Sequence, residues 1–423
     1  MSRQRRLTLG TVSIALITVL LLASGGQFAA RGADPIRIGL GMALTGGLSA
    51  NGKPALLALQ IWKDDVNKKG GLLGRPVELV YYDDKTDPAT VPGIYAKLLD
   101  VDKVDLVMSG YGTNLIAPLM PIAMERKLTI MGIFGLANNE KYQYPNYFQI
   151  SPNGPEPETS TALGFFELAA KQNPRPQTVA IVGADAEYPQ NALVGARELI
   201  KRFGFKTVYD KTYPPSTVDY TPIVRSIKAT NPDILFIASY PPDSVGMLRA
   251  IHEVGLQPKI VGGGMVGLMF TSVMTSLGPL LNGVVNYDFW APEQTMMFPG
   301  IKEFFKEYQP RAEKASMDPL GYYLPPYTYA AGQVLGQAVE STKSLDQQKI
   351  ADYIRSHEFD TIVGKVKFGK NGEWAKGRTL MVQYQKITGN NVEQFRGPGK
   401  KVVLFPDEFK SGSIIYPYAT AKN

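Results

Sequence analysis

The chain of 423 residues contains no cysteine and only two histidines, His252 and His357. The first absence excludes disulfide staples, cysteine nucleophiles, iron–sulfur clusters and thiolate zinc sites. The second excludes a multi-histidine metal centre, so no cofactor and no metal is expected. Without cross-links the fold must be held by core burial, which this length allows. Charged residues make up 20% of the chain and hydrophobic ones 44%, the balance of an ordinary globular protein. No block of five or more like charges occurs, which argues against nucleic acid as a partner.

Long apolar runs are also scarce. The greasiest stretch, from about Val12 to Ala23, is too short to span a bilayer comfortably, which takes about 20 residues. It follows Arg3, Arg5 and Arg6 and precedes small residues from Ser24 to Ala33. That order is the layout of a secretory signal peptide over residues 1–33, with cleavage between Gly25 and Ala33; a permanent N-terminal anchor is the alternative. Removal of the first 33 residues leaves 390 and lowers the net charge from +7 to +3, because Arg3, Arg5, Arg6 and Arg31 leave with them. A chain of that size suits two lobes.

Past Asp34, apolar runs alternate with amphipathic stretches. Strands are expected at Ile36–Met42, Val77–Asp83, Leu106–Ser109 and Thr129–Ile133, with helices at Pro54–Lys68, Val91–Leu99 and Leu115–Arg126. The alternation argues for a parallel sheet covered on both faces. It pauses at the Pro- and Gly-rich Asn146–Glu158, then restarts. Helices are read at Thr159–Lys171, Ala192–Phe203, Thr221–Thr230 and Ser244–Val254, and strands at Thr178–Gly183, Lys206–Tyr213, Ile234–Ser239, Lys259–Val261 and Gly283–Tyr287. Helices at Gly300–Tyr308, Tyr327–Thr342 and Asp346–His357 need a sheet to cover, and the first lobe is the simplest home. The expected lobes are therefore 34–150 with 290–363, and 151–289 with 364–423. The chain crosses between them near Gln149–Glu156, Asn286–Ala291 and Ile362–Lys367.

Several segments in order carry a family resemblance. They are Ile36-Arg37-Ile38-Gly39 with Leu44-Thr45-Gly46 and Gly52; Asp65-Val66-Asn67-Lys68-Lys69-Gly70-Gly71-Leu72-Leu73-Gly74; Tyr81-Tyr82-Asp83-Asp84 with Asp87-Pro88; and Val402–Pro406 with Ile414–Pro417. Together they resemble the extracellular solute-binding proteins of branched-chain-amino-acid-type ABC transporters. The resemblance implies an α/β type I periplasmic binding fold, two Rossmann-like lobes with parallel-type sheets on a multi-segment hinge. It also implies a periplasmic monomer that binds a small molecule, docks on an inner-membrane permease and catalyses nothing.

The turn Ser109-Gly110-Tyr111-Gly112-Thr113-Asn114 links a buried strand to a helix. Its backbone N–H groups and the Thr113 hydroxyl suit a carboxylate, and in the family this turn binds one; as an alternative, Thr113 or Asn114 only caps the helix. Phe134-Gly135-Leu136-Ala137 aligns with a second family loop, where a small residue and a threonine usually help hold a ligand ammonium. The acid that completes ammonium recognition should fall near Gly264-Met265, and none is present. Burying an ammonium against Leu and Met would cost several kcal/mol. Tyr188 and Tyr240 match positions that close over the ligand, and Asn51 aligns with a usual aromatic. The expected ligand is thus an aromatic or aliphatic acid, with a branched-chain amino acid as the rival.

Three other motifs were weighed. Gly262-Gly263-Gly264-Met265-Val266-Gly267 satisfies G-x-G-x-x-G with Asp288 about 20 residues on, yet sits late in its lobe and reads as a flexible crevice loop. Asp83 and Asp84 could serve an exported hydrolase, but neighbours on a strand point to opposite faces, and solvated loop carboxylates are the simpler reading. His252 has no paired nucleophile in sight and reads as a surface or packed residue.

Overall fold

The computed structural model describes residues 34–422; the signal-peptide expectation lies outside the described residues. Fourteen strands are described. The first five are β1 (Ile36–Met42), β2 (Val77–Asp83), β3 (Leu106–Tyr111), β4 (Ile130–Ile133) and β5 (Tyr147–Gln149). They form one sheet in the order β2-β1-β3-β4-β5, and every pairing is parallel. The second series is β6 (Thr178–Ala184), β7 (Lys206–Tyr213), β8 (Ile234–Ser239), β9 (Ile260–Met265) and β10 (Val285–Asp288). It shares a sheet with β13 (Leu380–Tyr384) and β14 (Lys401–Phe405), in the order β14-β13-β10-β9-β8-β6-β7. Between these in sequence, β11 (Glu358–Thr361) and β12 (Gly364–Lys367) form a separate antiparallel hairpin.

The strand sequences match their places. Central β3 and β8 are buried at every residue, as strands covered on both faces require. Edge strand β7 is mostly exposed and carries Lys206, Asp210 and Lys211, charges that discourage pairing with another chain. Helix Pro325–Thr342 packs on helix Ser49–Lys68. Gly332 permits the close approach, since a Cβ there would lie 2.4 Å from Trp62 Cδ2. From Pro35 onward the chain is one compact unit. Among the described residues no helix is long and apolar enough to cross a membrane.

The structure revises several sequence expectations. The helix expected from Pro54 begins at Ser49 and holds Pro54 inside it. Leu115–Arg126 is broken into Thr113–Ile116, a 3-10 turn at Ala117–Leu119 and Met120–Glu125. Gly262, Gly263 and Gly264 are not a flexible loop: they belong to buried β9, paired with β8 on one side, and Gly262 and Gly263 also pair with β10 on the other. A Cβ on Gly262 would meet the Val285 carbonyl oxygen at 1.6 Å and one on Gly263 the Phe236 ring at 2.3 Å. These glycines serve strand packing and leave no cradle for a dinucleotide. Ile362–Lys367 is the hairpin itself, and the chain passes to the second sheet over residues 368–379.

The two antiparallel strands that complete the second sheet were not read from sequence. Asp288 at the end of β10 forms an ion pair with Lys401 at the start of β14, and neither side chain is exposed to any degree. Asp288 also accepts the Phe289 N–H at 2.8 Å. A buried ion pair adds little net stability, but removal of one partner strands a charge. Lys401→Met should therefore cost about 3–5 kcal/mol in urea unfolding. Asp288→Leu combined with Lys401→Met should recover most of that loss; a double variant as unstable as the single would show that the pair is not what matters.

Candidate functional site

In open α/β sheets the crevice at the carboxyl ends of the strands is where ligands bind, and here several such ends meet around one cavity. Tyr111, Gly112, Thr113 and Asn114 follow β3, and Phe134, Gly135 and Leu136 follow β4. Facing them are Tyr188 at the start of helix Glu187–Arg202, Tyr240 after β8 and Tyr287 in β10. Nine of the twelve residues expected from sequence line this cavity. Asn51, Gly264 and Met265 do not. Asn51 is buried in helix Ser49–Lys68, and its Nδ2 has no hydrogen-bond partner. Gly264 lies in β9, and its carbonyl accepts the Tyr188 hydroxyl at 3.0 Å. The Met265 backbone is held by Asn286, through N–H to Oδ1 at 3.0 Å and carbonyl to Nδ2 at 2.9 Å.

The two loops of the first sheet are shaped by unusual backbone. Gly112 has φ of 100°, open to glycine and costly for other residues. Phe134 and Ala137 lie in the left-handed region at 56° and 57°, a strain that packing must over-determine. For Phe134 that packing is three edge-on rings, Phe289, Tyr323 and Tyr327, with centroids 5.0, 5.2 and 5.5 Å away. The Leu136 N–H donates to Thr113 Oγ1 at 3.1 Å. Because that hydroxyl accepts from the chain, its own proton is left to donate.

Leu48, Ser151, Asn153, Thr161, Val266, Tyr287, Phe289 and Tyr323 also line the cavity and were missed as individual residues. For Ser151, Asn153, Tyr287 and Phe289 a signal existed, since they stand on the first two crossings read from sequence. Val266 stands in the glycine motif read as a crevice loop, whereas Leu48, Thr161 and Tyr323 carry no motif. Two buried lining atoms, Asn114 Oδ1 and Thr161 Oγ1, have no hydrogen-bond partner.

The lining contains no Lys, Arg, Asp or Glu. Acidic side chains act on the lining from outside it, Glu187 and Asp243 on Tyr240 and Asp243 on Tyr188. Asp243 is turned away and accepts the Tyr213 hydroxyl at 2.6 Å, and burial pushes its carboxyl up to about 6. Burial also pushes the Tyr111 phenol up to about 12 and raises those of Tyr188, Tyr240, Tyr287 and Tyr323, so all five stay protonated. The chamber is neutral, aromatic and edged with hydroxyls. Its free volume is about 30 Å³, room for one or two waters.

The other candidates fall outside. Asp83 Oδ1 accepts the N–H groups of Leu44, Thr45 and Lys85, and its Oδ2 accepts the Thr45 hydroxyl at 2.6 Å. Asp84 Oδ1 accepts the Thr86 N–H at 2.8 Å. Both carboxylates brace loops and do not converge on a reacting position. His252 is exposed on helix Pro241–Val254. Among the described residues no group of three or more His, Asp and Glu could hold a metal ion.

Comparison with known proteins places this geometry in context. A family model described as periplasmic binding protein matches residues 35–389. The chain is similar to Leu/Ile/Val-binding protein homolog 8 of Brucella suis, with 23% identity over 394 residues covering 91% of this chain and 93% of that one. Its fold is similar to that of a leucine-binding protein from Thermotoga maritima, with TM-score 0.72, 20% identity, and 88% of this chain and 99% of that chain covered. It is also similar to an ABC-transporter solute-binding protein from R. palustris in complex with 4-hydroxybenzoate, with TM-score 0.71, 18% identity, and coverage of 84% and 94%.

Asp84 gives the loop region a pH signature. It is 1% exposed, and burial, with the Asp83 charge beside it, pushes its carboxyl up to about 6 from 3.8. Between about pH 4 and 6 the folded chain keeps a proton that the unfolded chain releases, so stability falls as pH rises through that window. Asp84→Asn removes this contribution. Urea unfolding at pH 4, 5, 6 and 7 should show a flatter profile, with the like-signed slopes from Asp243, Glu187 and Glu373 remaining, and a gain of about 1–3 kcal/mol at pH 7.

Proposed function

The chain belongs to the periplasmic binding protein family, and from that premise we propose that its ligand is a small aromatic or aliphatic carboxylate carried to an ABC-transporter permease. Proteins of this family bind small molecules and deliver them to such permeases; they are transport components, not enzymes. The observation that carries the ligand reading is the uncharged lining of the crevice. An α-amino acid brings an ammonium that needs a buried anionic or multiply accepting partner; the lining offers no carboxylate, and Leu136 stands in the loop where the family usually has a threonine. A carboxylate alone asks only for donors. Those at hand are the Thr113 hydroxyl and the N–H groups of Thr113 and Asn114, at the start of a helix whose first capping bonds begin with Leu115. The ligand body would rest on Phe134, Leu136, Tyr188 and Tyr240. The R. palustris neighbour, bound to 4-hydroxybenzoate, supports this class; the leucine-binding neighbour supports the rival.

With about 30 Å³ free, the crevice as it stands admits no such ligand. We take this as the closed form of a two-lobed molecule. The lobes in this reading are those expected from sequence, 34–150 with 290–363 and 151–289 with 364–423, except that the last crossing falls at 368–379, and they part by bending at the crossing segments.

The test is thermal unfolding of the ligand-free mature protein against benzoate, 4-hydroxybenzoate and short aliphatic acids, and separately against leucine, isoleucine and valine. A ligand at 100 times its Kd adds about 2.7 kcal/mol, a midpoint shift of several degrees. Shifts with the acids alone are expected; shifts with the amino acids alone would sink the ligand reading while leaving the family intact. Thr113→Val should weaken acid binding about tenfold or more, the loss of one hydrogen bond to a charged group.

A further inference from the structure

A second and larger cavity, of about 810 Å³, shares no lining residue with the crevice. Its walls come from the β11–β12 hairpin, from residues 374–378 and from Phe298 and Phe409. Arg378 is set in that wall and is only 7% exposed. Its guanidinium carbon lies 4.8 Å from the ring centroids of both Phe298 and Trp374 and 5.7 Å from that of Phe409. One Nη2–H donates to the Val363 carbonyl, while the buried Nε–H has no acceptor.

The carboxylates at the rim are committed elsewhere: Glu358 and Asp360 pair with Lys365, and Glu408 pairs with Lys376. Arg378 is thus a buried cation without a carboxylate partner among the described residues. Aromatic faces offset part of its desolvation, but a donor left unmade on a buried charge remains costly. Lys367, exposed at the mouth of the same cavity, also stands outside the rim ion pairs. A guanidinium offers paired N–H donors in the geometry that carboxylates and phosphates accept.

We propose that this cavity is a second ligand site, which takes a small oxyanion, carboxylate or phosphate, on Arg378, with Lys367 drawing it in at the mouth. The site bears on the crossing segments. The Arg378 N–H donates to the Pro152 carbonyl at 2.8 Å and Trp374 Nε1–H to the Ile150 carbonyl at 3.1 Å. Both acceptors lie on the run that carries Ser151 and Asn153 into the crevice. Tyr327 stands between the two cavities, its ring 6.3 Å from Trp374 and 6.0 Å from Phe289.

Trp374 supplies the readout, because the other two tryptophans, Trp62 and Trp290, are buried away from this cavity. Tryptophan fluorescence of the mature protein is titrated with sodium phosphate and, separately, sodium acetate, with ionic strength held constant by sodium chloride. A saturable change is expected with at least one anion, and the tighter of the two identifies the class. The response should be lost in Arg378→Gln, weakened several-fold in Lys367→Glu and kept in Thr113→Val, which alters the crevice alone. If Arg378→Gln does not fold, the surface variant Lys367→Glu decides. No saturable change with either anion, or equal affinity in the wild type and Lys367→Glu, would overturn the proposal.

Discussion

One carbonyl oxygen holds the crevice together. Gly135 ends the turn after β4 in a place where no ladder partner is left for its carbonyl. Three side chains from the first crossing supply donors instead: Gln149 Nε2 at 2.7 Å, Asn153 Nδ2 at 3.2 Å and Ser151 Oγ at 3.4 Å. A buried backbone carbonyl left unpaired would cost about as much as a lost hydrogen bond, so the loop and the crossing are fixed by the same contacts. Glycine leaves room for these donors, since a Cβ would lie 1.9 Å from Asn138 Oδ1 and 2.8 Å from Gln149 Nε2 and would displace both side chains. Asn138 in turn donates to the Thr113 carbonyl at 2.9 Å. The turn after β3, the turn after β4 and the crossing are thereby one hydrogen-bonded body, with Thr113 at its centre.

That body is assembled from neutral groups, and the neutrality extends below it. Glu373, 1% exposed and with neither carboxyl oxygen hydrogen-bonded, is held well above the usual carboxylate range by complete burial. It contributes a carboxylic acid rather than a charge. Were Glu373 ionised, the region behind the crevice would favour a cation; kept protonated, it leaves the neutral donors of the β3 turn as the main electrostatic feature. Stored strain points the same way. Phe134 holds a left-handed backbone that a β-strand exit does not need, and what it gains is a ring wedged among Phe289, Tyr323 and Tyr327. Strain retained beside a cavity is the pattern of a site whose shape matters more than its local stability.

Much of this was legible from residue order, for reasons that differ by element. Regular βα alternation announced the parallel sheets, because strands buried on both faces read as unbroken apolar runs. The turn at Tyr111–Asn114 was legible because glycine beside a hydroxyl residue after such a run has few other uses. The Gly262–Gly267 run misled because the local pattern cannot distinguish glycine that frees a backbone from glycine that lets two strands and the Phe236 ring come close; only the neighbours decide. Strands β13 and β14 escaped because they are added antiparallel from the far end of the chain, and a strand's partner is not encoded in its own periodicity. Thr161 and Tyr323 enter the crevice from a helix and from a loop between helices. Nothing in their own segments marks them, since their role follows from how distant elements pack.

The ordering of the second sheet fits the proposal that the crossings bend without disturbing either core. Strand β10 stands in the middle of that sheet, hydrogen-bonded in parallel to β9 and antiparallel to β13, and its last residue, Asp288, is pinned by Lys401. The chain leaves the sheet immediately afterwards, at Phe289 and Trp290, whose N–H groups both turn back to Asp288 Oδ1. The anchor therefore lies one residue before Phe289, which lines the crevice, and motion beyond that point need not pull on the sheet. The first crossing has the same construction. Gln149 pairs within β5 and donates to Gly135, and Ser151 and Asn153, just past the strand, face the ligand space. The pinned Asp288 is flanked by two crevice-lining residues, Tyr287 and Phe289, and only Ile150 separates Gln149 from Ser151, so a ligand would act close to clamped positions in both crossings. In the proposed two-lobed reading, closure around a small molecule is a local event at the strand ends, and the aromatic wall from Phe289 through Tyr327 to Trp374 is a packed path along which it would be felt beyond the crevice.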